Sequence, residues 1–384
     1  MSVAPGRAPL LSAVLITRDE GRFLGGCLES LSGIADEVVV VDTGSVDDTP
    51  DIARRFGARL VHHPWREDFA EARNVSLERA TGRWILYVDA DERLVDADRS
   101  GLEDLLGDAE EVAFRVLLRP RVGATPYREF RLWRSDPRIR FEGVIHEKVV
   151  PAIQRVADED GRPIGVADLM LQHLGYEGDQ TRKHLRNLPL LRRQLAVEPE
   201  NLFAWNHLGR VLEALGETEE AEAAFARAVE TARAAPAGQP IDRLACLSYG
   251  DLVRLRASRG GDVSDLLAEA LAAFPDNCLL LLMHAQQLME RRAYEAALAP
   301  LEQIVQFDWA RADDPPAYDA PIVGELPWSA KALCLFRLGA YADAAEAYAQ
   351  ASLHAPEDPS YRVKADLARA RARRASSGAP PSSG

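Results

Sequence analysis

Three acidic clusters stand in the N-terminal quarter of the chain, and each follows an apolar run. Leu11 to Thr17 (LSAVLIT) leads into Arg18-Asp19-Glu20, Glu37 to Asp42 (EVVVVD) into Thr43-Gly44-Ser45, and Trp84 to Asp89 (WILYVD) into Ala90-Asp91-Glu92. Carboxylates gathered at strand ends repel one another unless a cation or a hydrogen-bond donor sits among them. Asp89 and Asp91 are separated by one residue, so in a loop both can face one hard divalent ion, and such an ion bridges diphosphate oxygens. The plainer alternative is a solvated turn that caps a helix. The place of the triplet, straight after a buried strand, favours the site.

The elements that would hold these groups alternate. After the first strand a helix is predicted from about Glu20 to Leu31. Thr49 makes a helix N-cap with Pro50 at the first helical position, where its missing N–H costs nothing, and that helix runs to Phe56. Arg59 to Val61 reads as a short strand and Phe69 to Ala80 as a helix. Strand, helix, strand, helix at this spacing indicates a parallel α/β sheet with crossover helices, and wholly apolar strands indicate cover on both faces. From Val112 onward four further strands are expected (Val112 to Leu118, Tyr127 to Trp133, Val144 to Val150, Val166 to Gln172), without long helices between them. They read as a mixed extension of the same sheet, and this domain is expected to span residues 10–178.

The remainder is helical and repetitive. Trp205, Leu208, Gly209, Ala221, Phe225 and Ala228 follow the spacing of a helix-turn-helix repeat of about 34 residues, with Gly216 at the turn. Trp328, Ala332, Gly339, Tyr341, Ala344, Tyr348, Ala351 and Pro356 repeat the pattern. Tyr294, Ala297, Leu301 and Ile304 fit its second helix, and Pro275 closes a weaker copy. Pro199 also sits at a repeat end, so a degenerate helix would join the two domains. The pattern resembles the tetratricopeptide family over residues 179–360. Residues 361–384 read as a terminal helix and a low-complexity tail, and Asp313 to Gly324 as a proline-rich loop.

Composition narrows the function classes. At 384 residues, 47% hydrophobic and 28% charged, the chain is not disordered, and its 46 basic against 60 acidic residues (net −14) argue against nucleic acid or anionic membrane as partner. No apolar run approaches the ~18 residues of a membrane span. Met1 to Pro9 carries no apolar core of a signal peptide. Cys27, Cys246, Cys278 and Cys334 lie far apart, with no metal or disulfide spacing. A cytoplasmic location is the expectation.

The ordered combination of residues 14–53 (VLITRDEGRFLGGCLESLSGIADEVVVVDTGSVDDTPDIA) and 65–92 (WREDFAEARNVSLERATGRWILYVDADE) resembles glycosyltransferase family 2, inverting nucleotide-sugar transferases. FEGVIHEKV (141–149) and QHLGY (172–176) resemble its branch of lipopolysaccharide-core glucosyltransferase-like proteins and glycopeptide S-glycosyltransferases, which carry tetratricopeptide repeats. The resemblance implies a Rossmann-like, mostly parallel GT-A domain followed by an all-α repeat domain, and a hexosyltransferase activity.

By that resemblance Thr17, Arg18 and Glu20 meet the nucleotide, and Asp42 recognises the base, commonly uracil, by accepting its imide N–H. Ser45 and Asp47 follow in the same loop. Arg73 of the A-R-N triplet approaches the nucleotide or diphosphate, while Asn74 holds the loop. Asp89, Ala90 and Asp91 form the D-x-D motif, Asp91 being the direct ligand of Mn²⁺ or Mg²⁺, with His146 a metal ligand or a diphosphate contact and His173 completing that site. An inverting transferase needs a base for the acceptor, unless the acceptor is a thiol of low pKa. Asp136, Glu142 and Glu147 are the candidates, Glu147 being preferred, with Asp91 serving catalysis as well. Asp19 stands where the family often has asparagine and is expected to cap the first helix. Arg73 would otherwise be a surface ion pair, Asp47 and Asp48 helix caps, and His62 and His63 ordinary loop residues. The expected donor is a UDP-sugar. The acceptor is a peptide or protein held by the repeats, or a lipid-linked saccharide or small natural product. The basic cluster Arg182, Lys183, Arg186, Arg192 and Arg193 is the candidate edge for a membrane-bound acceptor. The repeats would alternatively build a homodimer, and a catalytically inactive nucleotide-binding scaffold is the reading from another class.

Overall fold

The computed structural model describes residues 9–120, 123–175, 181–234, 244–307 and 317–376, apart from the side chain of residue 182. The chain divides into two compact units, residues 1–199 and 200–384. In the first, the order is β1 (Leu11–Thr17), α1 (Gly21–Leu31), β2 (Glu37–Asp42), α2 (Thr49–Arg55), β3 (Arg59–His62), α3 (Phe69–Arg79), β4 (Trp84–Tyr87), β5 (Glu92–Val95), α4 (Arg99–Gly107), β6 (Ala113–Arg119), β7 (Tyr127–Arg134), α5 (Val150–Asp160), β8 (Ile164–His173) and α6 (Thr181–Val197). The strands form one sheet in the order β3-β2-β1-β4-β7-β6-β8-β5. The first four are parallel, β7 joins β4 and β6 antiparallel, and β5 closes the far edge antiparallel to β8.

Alternate side chains of the parallel strands enter two cores. Leu15, Val40 and Leu86 pack with Leu24, Leu28 and Leu31 of α1 and Leu102 and Leu106 of α4. Val14, Val39 and Ile85 pack with Ala70 and Leu77 of α3 and Ile153 and Val156 of α5. Burial on both faces is why these strands carry no polar alternation. The carboxyl ends of β1, β2 and β4 therefore lie side by side, with Thr17 directly opposite Asp42 in the β1–β2 register.

Three local expectations are corrected, and one strand is added. Residues 144–150 are not a strand: a tight loop is closed by reciprocal backbone bonds between Glu142 and Lys148 (3.0 and 2.8 Å), and α5 starts at Val150, with Pro151 in its first turn. Ala152, Ile153, Val156 and Ala157 are its buried residues, a helical spacing that a β-branched start disguises. The four-residue β5 has too short a pattern to show in sequence. Asp19 does not cap α1; its carboxylate accepts from the Val46 N–H (2.8 Å), and Asp47 takes the Gly21 N–H instead (2.9 Å). Thr49 is the first residue of α2 rather than its cap, and its hydroxyl accepts from the Glu20 N–H (2.8 Å).

The division between units falls after Pro199, one helix beyond Gly178, because α6 belongs with the first unit. Gly178 itself, Tyr176, residues 1–8, residues 313–316 of the proline-rich loop and residues 377–384 lie outside the described residues, and Ala320–Val323 of that loop is a short helix.

The second unit contains the antiparallel pairs Leu202–Ala214 with Thr218–Arg233, Ala245–Ser258 with Ser264–Ala273, Cys278–Glu290 with Tyr294–Val305, and Glu325–Arg337 with Tyr341–His354, then the helix Pro359–Ser376. Gly209 shows why the repeat pattern demands a small residue. A Cβ built there would lie 2.5 Å from the Phe225 ring, itself fully buried. Replacing Gly209 by Ala is expected to lower unfolding free energy by about 1–3 kcal/mol through overpacking. Urea unfolding of the two proteins side by side measures it, and equal midpoints would contradict this packing.

Candidate active site

Arg73 is the centre around which the site is assembled. Asp68 caps α3 by accepting from the Glu71 N–H (2.9 Å), which sets the first turn. One turn later the Arg73 guanidinium is 8% exposed, 3.0 Å from Asp89 and ion-paired through Nε with Glu147. Asn74, the next residue, exchanges two 2.9 Å bonds with the Phe141 backbone, and the Phe69 N–H donates to Val144 O (2.9 Å). These three bonds moor the 142–148 loop to α3 and bring Glu147 to Arg73. Asn74 holds the loop, as expected.

The Arg73 guanidinium stacks on the Tyr87 ring, 4.2 Å from its centroid, and Arg131 of β7 stacks on the same ring at 4.3 Å. The Tyr87 hydroxyl donates to Asp89 (3.2 Å). Arg131 is itself buried, gripping Glu92 with two bonds (3.0 and 3.1 Å) and Glu129 with a third (2.8 Å). Burial alone would raise the pKa of Asp89, but Arg73 and Arg131 overcome it and hold the carboxyl well below its usual range. Burial pushes Glu92 up against the opposing pull of Arg131.

Asp91 faces elsewhere. Because β5 pairs with β8 so that Glu92 lies opposite His173, the Asp91 carboxylate comes within 3.2 Å of His173 Nε2. Burial would lower the His173 pKa, yet Asp91 raises it on balance. The Leu174 N–H donates to Asp91 O (2.9 Å), and a Cβ at Gly175 would displace the Asp91 carboxylate from its present position. Glu20 is pushed up to about 7, by burial first and by Asp91 second, with Lys183 and Arg186 of α6 opposing.

Thr17 is buried and its hydroxyl finds no hydrogen-bond partner among the described residues. Asp42, also buried, accepts from the Gly44 and Ser45 N–H groups (3.3 and 3.2 Å) and lies 3.4 Å from His62 Nδ1. Ser45 Oγ accepts from the Asp19 N–H (2.9 Å), so it ties the two loops together. Arg18 is exposed and Ala90 is buried.

Several sequence expectations change. Arg73 is a buried ion pair with Asp89 and Glu147 rather than a surface one. The four expected metal ligands are not preassembled: among the described residues no three His, Cys, Asp or Glu side chains are gathered to hold an ion. Asp89 is taken up by Arg73 and Tyr87. His146 sits at φ +51°, and burial, then Lys183 and Lys148, push its pKa down to about 4. Asp136 is engaged by Arg138 (2.7 Å) in a network with Asp160, and Glu142 is exposed on the loop, so neither joins the cluster. Tyr87, Glu92, Glu129 and Arg131 escaped the sequence reading. The one signal was Glu129 and Arg131 at period two in a strand, which puts both charges on one face of a covered sheet.

Residues 12–142 match the family model Glycosyl transferase family 2, and residues 204–234 match a Tetratricopeptide repeat. The chain thus joins a region that matches family 2 glycosyltransferases, on the mixed α/β sheet described above, to a helical region that matches a tetratricopeptide repeat. It is 35% identical over 234 residues to a TPR repeat-containing protein of Synechococcus elongatus, covering 59% of this chain and 58% of that one. It is 27% identical over 223 residues to the SPbeta prophage-derived glycosyltransferase SunS of Bacillus subtilis, covering 56% and 51%. The lipopolysaccharide core biosynthesis glycosyltransferase LpsC of Rhizobium meliloti is 36% identical over 156 residues, covering 37% and 57%. The chain thus spans 51 to 58% of the length of these relatives. No helix among the described residues is long and apolar enough to cross a membrane.

Glu20 yields a test of the site's electrostatics. Its folded pKa of about 7 lies above the ordinary 4.5, so the folded chain retains a proton that the unfolded chain gives up. Stability therefore falls as pH rises between those values. Thermal melts of Glu20→Gln are expected to show stabilisation over wild type at pH 8 and little difference at pH 4.5. A pH-independent difference would contradict the burial of this carboxyl beside Asp91.

Proposed function

We propose that the chain is a metal-dependent, inverting glycosyltransferase that moves one sugar from a nucleoside diphosphate sugar, a UDP-sugar, to an acceptor. The observation that carries this reading is the split D-x-D motif of a family 2 domain. Asp89 is neutralised from within by Arg73, while Asp91 faces an imidazole instead of a protein guanidinium. Asp91 and His173 would hold the ion; the carboxylate gives the hard oxygen that Mg²⁺ and Mn²⁺ favour, and loss of the His173 proton would accompany binding. Bound there, a divalent ion supplies electrostatic stabilisation of the departing diphosphate.

The chain's own groups do the rest. Thr17 and Asp42, opposite each other at the ends of β1 and β2, receive the base: Asp42 accepts the imide N–H, and the buried Thr17 hydroxyl gains the partner it lacks. Ser45 and Asp47 fix this loop, and Arg18 and Glu20 flank the phosphates. Arg73 orients Asp89 and Glu147 at once. Glu147 is the proposed base, taking the acceptor proton as the acceptor attacks the anomeric carbon. The repeats are the proposed acceptor-binding part, since such arrays serve as extended peptide-binding surfaces. A saccharide acceptor is the second reading, favoured by the similarity to LpsC, whose name places it in lipopolysaccharide core biosynthesis.

Calorimetric titration of UDP, GDP and dTDP, each with and without MnCl₂, tests the donor half of this proposal. UDP is expected to bind in a Mn²⁺-dependent way to wild type, and Asp91→Ala to lose at least about tenfold in affinity, the worth of one charged contact. A folded wild-type protein that binds none of the three would overturn the transferase reading.

A further inference from the structure

The D-x-D turn is held by a buried residue that lies outside the motif, on β7. Arg131 is 5% exposed and sits in the middle of β7. Its guanidinium lies 3.8 Å from the Asp89 carboxylate, and it acts on the turn along two further routes. The first runs through Glu92, 0% exposed, whose carboxylate is gripped by both Arg131 amino groups and accepts the Asp89 N–H (2.9 Å). The second runs through Tyr87, on whose ring Arg131 stacks and whose hydroxyl donates to the Asp89 carboxylate. Backbone and side chain of Asp89 are thus both referred to one guanidinium. The turn is closed by the Glu92 N–H donating to Asp89 O (3.0 Å), and Asp91 lies inside it.

Resting on the transferase reading, we propose that Arg131 is a positioning residue for the donor site. Through Glu92 and Tyr87 it fixes the Asp89–Glu92 turn, so that Asp89 points to Arg73 and Asp91 points to His173. The planar fork matters as much as the charge. It binds a carboxylate with two parallel bonds while its face lies on an aromatic ring, a combination an ammonium group does not reproduce. Glu129 completes the arrangement by taking the third bond, from Arg131 Nε.

The alternative is that Arg131 only pays for its own burial, neutralising Glu92 and Glu129 and adding stability without directing the turn. The two accounts differ in what a ligand feels. Arg131→Met alone would strand a buried carboxylate and risks unfolding the chain, so it is combined with Glu92→Gln, which keeps an acceptor for the Asp89 N–H. Tyr87→Phe, which keeps the ring and deletes only the hydroxyl, breaks the second route.

The experiment measures, by calorimetry in MnCl₂, the affinity for whichever of UDP, GDP and dTDP wild type binds, and melting temperature separately. Tyr87→Phe and Arg131→Met/Glu92→Gln are each expected to weaken binding about five- to tenfold, the scale of one lost buried hydrogen bond. The triple variant is expected to be no weaker than the worse of the two, because both act through one turn. Affinities within twofold of wild type, whatever the melting temperatures, would overturn the proposal, as would losses that multiply in the triple variant. A wild type that binds no nucleotide refutes the transferase reading itself, and the positioning role falls with it.

Discussion

One buried guanidinium, that of Arg73, sets the chemistry of the first unit. A charge taken out of water is tolerated only when partners surround it, and leaving out one partner costs more than the pair contributes. Arg73 meets that condition with Asp89 at the end of one strand, Glu147 on a loop distant in sequence, and the Tyr87 ring between them. Each partner is in turn constrained: Glu147 by the loop moored to Asn74 and Phe69, Asp89 by Tyr87 and Glu92. The cluster is consequently a single object, and none of its members can be described as a surface carboxylate.

The same constraint explains how two aspartates one residue apart come to differ. Repulsion among acidic strand ends is the hazard visible in the sequence, and the fold answers it unevenly. Asp89 receives protein cations, Glu20 is driven toward its protonated form, and Asp91 is left against an imidazole. An added cation thus has one carboxylate of the pair still to serve. The sheet order makes this possible, because β5 returns to the far edge and delivers Asp91 beside the last residue of β8.

Local pattern made the parallel half of the sheet legible. Apolar runs of β1, β2 and β4 are long and uninterrupted, and α1 to α3 begin within a residue or two of where caps and periodicity place them. The repeats were legible for a different reason: size alternation such as Gly209 against Phe225 is a packing rule written at fixed spacing. What stayed hidden depended on long-range pairing. Nothing local marks Glu92–Val95 as a strand, since its partner lies some eighty residues away, at Met170 to His173. Val149-Val150-Pro151 looks extended until Phe141 and Val149 are seen to be buried in the second core, which leaves α5 to begin there. The site divided along the same line. Asp42, Asp89, Asp91, Arg73 and Glu147 announced themselves by motif, whereas Tyr87 and Arg131 read as ordinary strand residues, and Glu92 as the end of an acidic cluster, until the mixed sheet stacked them.

The central claim is that the two D-x-D carboxylates have separate duties, Asp89 toward Arg73 and Asp91 toward the metal. Anomalous diffraction at the manganese edge, from crystals grown with UDP and MnCl₂, tests this most directly. The account expects one ion with the Asp91 carboxylate and His173 Nε2 in its inner coordination sphere and Asp89 still bonded to Arg73 and Tyr87. An ion coordinated by Asp89, with Arg73 displaced from it, would contradict the account.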